Sequence, residues 1–235
     1  MYVRAFIEEM ERLAPPELAE DFDAGKIGLI VEGNTEISTI CCALDATPSV
    51  VKNAVAAKAD MLIVHHTPLW TPLTSLTGPT AALMRDVLVS GLNIYVMHTN
   101  FDRAECGVND ALADLLSLEN TEPMTLGLVG DCTLSLKDIA RRLDCPVRVW
   151  GKIKKLQRLA VVGGSGFDPV FMAEAVERGA DAFLSAELKH SVYREAPLPC
   201  IEATHYALEA PAMKRLATQK GWQFIDDTPI LHTIP

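Results

Sequence analysis

The chain has 235 residues, 49% of them apolar and 22% charged, enough for the core of one large domain or two small ones and too apolar for a disordered tail. Lys and Arg number 21 against 31 Asp and Glu, and the resulting formal charge of −10 disfavours nonspecific binding to a phosphate backbone. The longest apolar runs, such as residues 61–64 and 159–162, fall far short of the roughly 20 residues of a membrane span, and the start Met1-Tyr2-Val3-Arg4, soon followed by Glu8-Glu9, lacks the order of a secretory signal.

The expectation is a cytoplasmic protein with no membrane segment and no strong nucleic-acid signal. Val3, Phe6, Ile7, Met10 and Leu13 follow helical spacing, and Pro15-Pro16 ends that helix by removing backbone donors. Short apolar runs at 28–31, 37–44, 61–64 and 93–97 read as strands, with helices expected at 49–58 and 80–90. Alternation of this kind indicates an α/β layer built on a sheet. A helix at 107–118, with Val108, Ala111, Leu112, Leu115 and Leu116 on its buried stripe, is expected to close this half.

Glu119-Asn120-Thr121-Glu122-Pro123 reads as a polar joint. Beyond it strands are expected near 125–129, 147–150, 158–162 and 181–185, with helices near 136–143, 169–178 and 206–219. The expected organisation is an N-terminal half at 1–120 and a C-terminal half at 121–235, packed as one unit, since no long linker separates them. Six cysteines occur without a C-x-x-C pair, and the adjacent Cys41 and Cys42 point to opposite faces of an expected strand. They read as reduced core residues rather than a zinc knuckle.

Five of the six histidines stand at or just behind the C-terminal end of an expected strand, where open α/β sheets place ligand sites. The run 61–64 leads into His65-His66, whose divergent directions on a strand suit two neighbouring metal ions better than one, although a surface histidine pair or a histidine hydrogen-bonded in the core fits the dipeptide alone equally well. The next strand leads into His98-Thr99-Asn100-Phe101-Asp102, where Asp102 is either a hard ligand or a helix cap. Farther on, His205 and Glu209 are four apart, so a helix would put both on one face. Taken together, imidazoles and carboxylates without thiolate point to Zn, Mn, Fe, Co or Ni. Five ligands exceed the need of one catalytic ion with an open position and suit two divalent ions sharing a carboxylate.

Other segments carry less. Gly163-Gly164-Ser165-Gly166 follows a strand but is neither a dinucleotide fingerprint nor a P-loop, and reads as a phosphate cradle or a tight turn. Glu187 and His190 line a site or open a helix, and Trp70 reads as a packing residue rather than a stacking platform. Cys106 lies near a proposed ligand without a clear activating base.

The chain resembles the Nif-three-like dinuclear-metal-centre proteins, often labelled GTP cyclohydrolase 1 type 2 homologues. The resemblance rests on the opening amphipathic helix, on Val64-His65-His66-Thr67-Pro68-Leu69-Trp70, and on His98-Thr99-Asn100-Phe101-Asp102 through Gly107-Val108-Asn109-Asp110-Ala111-Leu112. Gly163-Gly164-Ser165-Gly166, Ser185-Ala186-Glu187 and His205 with Glu209 follow in the family's order. It implies two similar α/β halves with facing sheets around a dinuclear metal site, and subunits in a hexameric ring. Carried over, His65, His66, Asp102, His205 and Glu209 are the ligands, Glu209 bridges, and His98 stands close by as the catalytic candidate. Thr67, Cys106, Ala186 and Thr204 depart from the family's usual residues, mostly glycines, and spare every ligand. The implied function is a metal-dependent hydrolase of a small molecule, a nucleotide or related heterocycle among the candidates. The alternative is a non-catalytic metal-binding, regulatory or assembly protein.

Overall fold

A computed structural model describes residues 1–232, and its contacts divide the chain into two compact units. One holds Met1–Ala104 and the chain from Met213 on; the other holds Glu105–Ala212. These boundaries differ from a division near residue 120, because the helix after Gly107 packs on the strands that follow it and the chain's last segment returns to the first sheet.

The first unit opens with α1 (Val3–Leu13), whose Phe6 and Met10 are wholly buried. Its strands are β1 (Gly28–Val31), β2 (Ile40–Asp45), β3 (Met61–His66) and β4 (Asn93–Val96), joined by α2 (Pro48–Ala56) and α3 (Gly78–Ser90), with the short α4 (Thr99–Arg103) behind β4. β2, β3 and β4 are parallel, and β1 adds antiparallel to β4 across a bulge. Met61–Val64 are fully buried, as expected of a central parallel strand covered on both faces. Leu62 and Val64 pack with Val50, Val51, Ala54 and Val87 of α2 and α3. Thr47 caps α2 by accepting from the Val50 N–H at 3.1 Å. Cys41 joins this core, while Cys42 Sγ–H donates to the Met213 carbonyl at 3.4 Å; burial, with the neighbouring Cys41 adding to it, pushes the Cys42 thiol well up, as an inert core residue requires.

Asp60 ties the entry of β3 to the segment before β2. Its carboxylate accepts from the Ser38 N–H at 2.9 Å, the Ser38 hydroxyl at 2.8 Å and the Thr39 N–H at 3.0 Å. Partial burial pushes its pKa up, but these hydrogen bonds outweigh it and hold the carboxyl below its ordinary value. A depressed folded value means that the stabilisation is present above the unfolded carboxylate range and is lost as pH falls through the folded value. Asp60→Ala is therefore expected to cost about 1 kcal/mol in urea unfolding at neutral pH, with the gap narrowing below about pH 4. An equal gap at both pH values would refute the assignment.

The second unit begins with α5 (Val108–Leu115), followed by β5 (Glu119–Pro123), β6 (Leu128–Asp131), α6 (Leu136–Arg142), β7 (Arg148–Trp150) and β8 (Arg158–Val161). Then come α7 (Pro169–Glu177), β9 (Ala182–Ser185), α8 (His190–Glu195) and β10 (Cys200–Glu202). Its sheet runs β5-β6-β8-β9-β10-β7, with β8, β9 and β10 parallel. The supposed polar joint is β5, an edge strand exposed at every residue, so backbone pairing with β6 holds it without any apolar alternation. α9 (His205–Lys220) starts in this unit, and the chain from Met213 on belongs to the first, where β11 (Gln223–Phe224) pairs parallel with β2. Among the described residues no helix is long and apolar enough to cross a membrane.

Candidate metal centre

The C-terminal ends of parallel strands β3 and β4 carry three histidines of the first unit, His65, His66 and His98. His65 is fully buried, and its ring centroid lies 4.9 Å from that of His66 with the planes tilted 61°. His98 stands 5.1 Å from His65 and 5.6 Å from His66. One ring nitrogen from each of the three lies within 4.8 Å of the others. Asp102, on α4, brings Oδ1 to 3.5 Å from His65 Nε2. The helix-cap alternative for Asp102 does not hold, because it sits inside α4 and His98 occupies the cap position.

Two of these imidazoles are fixed from behind. In the parallel pair β2·β3, Asp45 is in register with His66, so both side chains leave the same face; Asp45 Oδ1 meets His66 Nδ1 at 2.8 Å. His98 Nδ1 faces both oxygens of the fully buried Asp23 at 2.8 and 2.9 Å, and Asp23 also accepts from the Thr99 N–H at 3.2 Å and from its hydroxyl. A carboxylate accepts, so Nδ1 carries the proton and Nε2 keeps its lone pair. Burial first, and then His65, hold the His98 imidazolium below its ordinary pKa against the opposing pull of Asp23. His98 is accordingly neutral near pH 7.

In the second unit, His205 and Glu209 share one face of α9, with Nε2 to Oε2 at 2.9 Å. Glu209 is only 3% exposed. Glu187, in the loop behind β9, places Oε1 at 3.0 Å from His205 Nδ1. Glu202 holds that loop in turn, accepting from the Leu188 N–H at 3.2 Å while pairing with Arg148 and with the Trp150 indole N–H. Both nitrogens of His205 therefore face carboxylate oxygens, an arrangement a neutral ring satisfies on one side only and a cation completes on the other.

The Gly163-Gly164-Ser165-Gly166 segment serves as a turn. The Gly163 N–H donates to Asn109 Oδ1 and the Gly166 N–H to Ser185 Oγ, each at 2.8 Å, so these two amides are used within the unit. Gly164 has φ +66°, and a Cβ there would come 2.2 Å from Glu209 Oε1 and 3.3 Å from His205 Nε2. The missing side chain is the space into which this pair projects.

Donors about 2.1 Å from one divalent ion stand roughly 3.0–3.4 Å apart. The His65–Asp102 and His205–Glu209 spacings of 3.5 and 2.9 Å are of that size, so the donor sets of each unit fit a divalent ion. The sequence pattern of the Duf34/NIF3 (NGG1p interacting factor 3) family matches residues 1–225.

The chain belongs to the Duf34/NIF3 family.

A Pyrococcus horikoshii protein named GTP cyclohydrolase 1 type 2 homolog is 34% identical over 212 residues, 83% of this chain and 84% of that one. The structure of reduced HcgD from Methanocaldococcus jannaschii is similar at a TM-score of 0.82 and 31% identity, covering 95% of this chain and 96% of the other. A Bacillus cereus protein related to NIF3 shares the fold at a TM-score of 0.85 and 19% identity, over 99% of both chains.

Within this Duf34/NIF3 chain, Asp23, Asp45 and Glu187 hold the site histidines, and sequence reasoning found no role for the first two. Asp45 was recoverable once β2 and β3 are aligned in register, whereas Asp23 lies 75 residues from His98 in an acidic stretch that looks solvated. His190 is exposed at the start of α8 and joins no group of metal-ligand geometry among the described residues. Trp70 packs its ring against His66 and His98, with centroids 6.4 and 5.1 Å away, while remaining 43% exposed.

Proposed function

We propose that the chain binds two divalent ions through His65, His66, Asp102, His205 and Glu209, with Glu209 bridging, and that it hydrolyses a small-molecule substrate. The observation that carries this reading is the shared arrangement at His66, His98 and His205, each engaged at Nδ1 by a carboxylate. Such carboxylates orient metal-binding histidines and raise their basicity. Divalent ions, when bound, supply Lewis acidity toward a substrate oxygen and lower the pKa of water.

The chain's own residues supply the remainder. Neutral His98 accepts a proton at Nε2 while Asp23 stabilises the resulting cation through Nδ1, a general-base arrangement. Asp45 and Glu187 keep His66 and His205 from rotating away. Assembly into a hexameric ring and a cytoplasmic location belong to the same proposal, the first supported by the family resemblance and the second by the sequence reading alone.

The name borne by the Pyrococcus relative makes GTP the first trial substrate. Metal-reconstituted protein is to be tested on GTP, other nucleotides, cyclic amides and phosphoesters, following purine absorbance, formate and phosphate. Turnover is expected to vanish on chelation, return with metal and survive thiol alkylation, because no cysteine is among the proposed ligands and His98 is the proposed base. His98→Asn is expected to lower turnover about 100-fold with metal content intact. No product from fully metallated protein across the panel would leave the metal-binding or regulatory function in its place.

A further inference from the structure

Beside the histidine cluster, within the first unit, lies a groove of about 550 Å³ whose walls include Leu29, Ile30, Leu69 and Leu73. Trp70 forms part of it, with its ring centroid 5.1 Å from that of His98 and the planes at 78°. Lys26 places Nζ 5.6 Å from the Trp70 centroid and makes no ion pair among the described residues. It is the one charged residue lining the groove, in a chain whose formal charge is −10.

We propose that this groove is a binding subsite for a planar aromatic ring bearing an anionic group, with the ring on Trp70 and the anion on Lys26. An exposed indole on an apolar wall favours a flat π-surface, and a lone ammonium in such a wall favours an anion over a neutral group. The contact between Trp70 and His98 sets the bound ring against the proposed metal centre. The inference rests on the proposed function only in calling this ligand the substrate; the subsite itself is formed by residues that are not proposed ligands.

The test uses the full chain, both metal-loaded and chelator-treated, with 2-naphthoate, its neutral amide 2-naphthamide, and the non-aromatic anion cyclohexanecarboxylate as probes in calorimetry. Naphthoate is expected to bind both forms, and to bind more tightly than either control. Lys26→Met is expected to weaken naphthoate roughly fivefold and leave naphthamide unchanged, while Trp70→Ala weakens both roughly tenfold. Trp70→Phe, which keeps a ring, is expected to fall between wild type and Trp70→Ala.

Equal binding of all three probes, or naphthoate binding that neither variant alters, would overturn the subsite. Binding confined to the metal-loaded form and indifferent to both variants would overturn it too, by assigning the anion to the metal. Sedimentation in which Trp70→Ala dissolves an oligomer while naphthoate affinity stays constant would assign the groove to a second copy of the chain. Failure of the metal reading shows separately, as absence of metal uptake with naphthoate binding retained.

Discussion

Gly164→Ala is expected to weaken metal binding at His205 and Glu209 at least tenfold and to lower stability by about 1–3 kcal/mol. Two causes add. The residue has φ +66°, where a side chain is strained, and its Cβ would stand 2.2 Å from Glu209 Oε1. Glu209 has little solvent to swing into, being 3% exposed, so its carboxylate must leave its position beside His205 Nε2. Gly179→Ala is the matched control: φ is +76° there, and a Cβ would meet nothing within 4 Å. It is expected to carry the backbone cost alone and leave metal affinity unchanged. Thermal unfolding together with competition against a chelating dye separates the two, and equal metal affinity in both variants would refute the role given to Gly164.

Glu209→Ala is expected to remove binding at both metal positions, and Asp102→Ala mainly at one. A bridging carboxylate uses both oxygens, and Glu209 is 3% exposed with Oε2 2.9 Å from His205 Nε2 on one face of α9. Asp102 approaches His65 Nε2 at 3.5 Å. Its loss leaves His66 with its Asp45 anchor in place. Metal content per chain after equilibrium dialysis is expected to fall furthest in Glu209→Ala, with Asp102→Ala keeping about half. Equal, single-ion losses in both variants would count against the bridge.

The parts of the fold legible in the sequence are those carried by short-range pattern. α1 was visible in its apolar spacing and its Pro15-Pro16 stop, and β3 in an apolar run buried on both faces. Because a strand end is where the apolar run breaks, His65-His66 was visible with it. β5 was not, since every residue is exposed and only backbone pairing defines it. β11 escaped as well, being two residues that depend on β2 across nearly the whole chain.

The candidate site divides in the same way. Its proposed ligands announce themselves as polar residues at strand ends or four apart on a helix. The carboxylates behind them are less legible: Asp23 reaches His98 only through tertiary placement, whereas Glu187 stood out as a site-lining candidate without a partner until the fold set it beside His205. Cys106 shows a third case: it occupies φ +59°, the left-handed conformation that favours glycine, and that backbone state could not be read from composition. Trp70 has the ring contacts of a packing residue, but its 43% exposure was not legible, because it depends on what the loop behind β3 leaves open.

The most direct measurement of the central claim is elemental analysis of wild-type protein reconstituted with a divalent metal and dialysed free of excess, read beside the His65→Ala variant. Two ions per wild-type chain are expected, with fewer in the variant; saturation at one ion, unchanged by His65→Ala, would contradict the dinuclear centre.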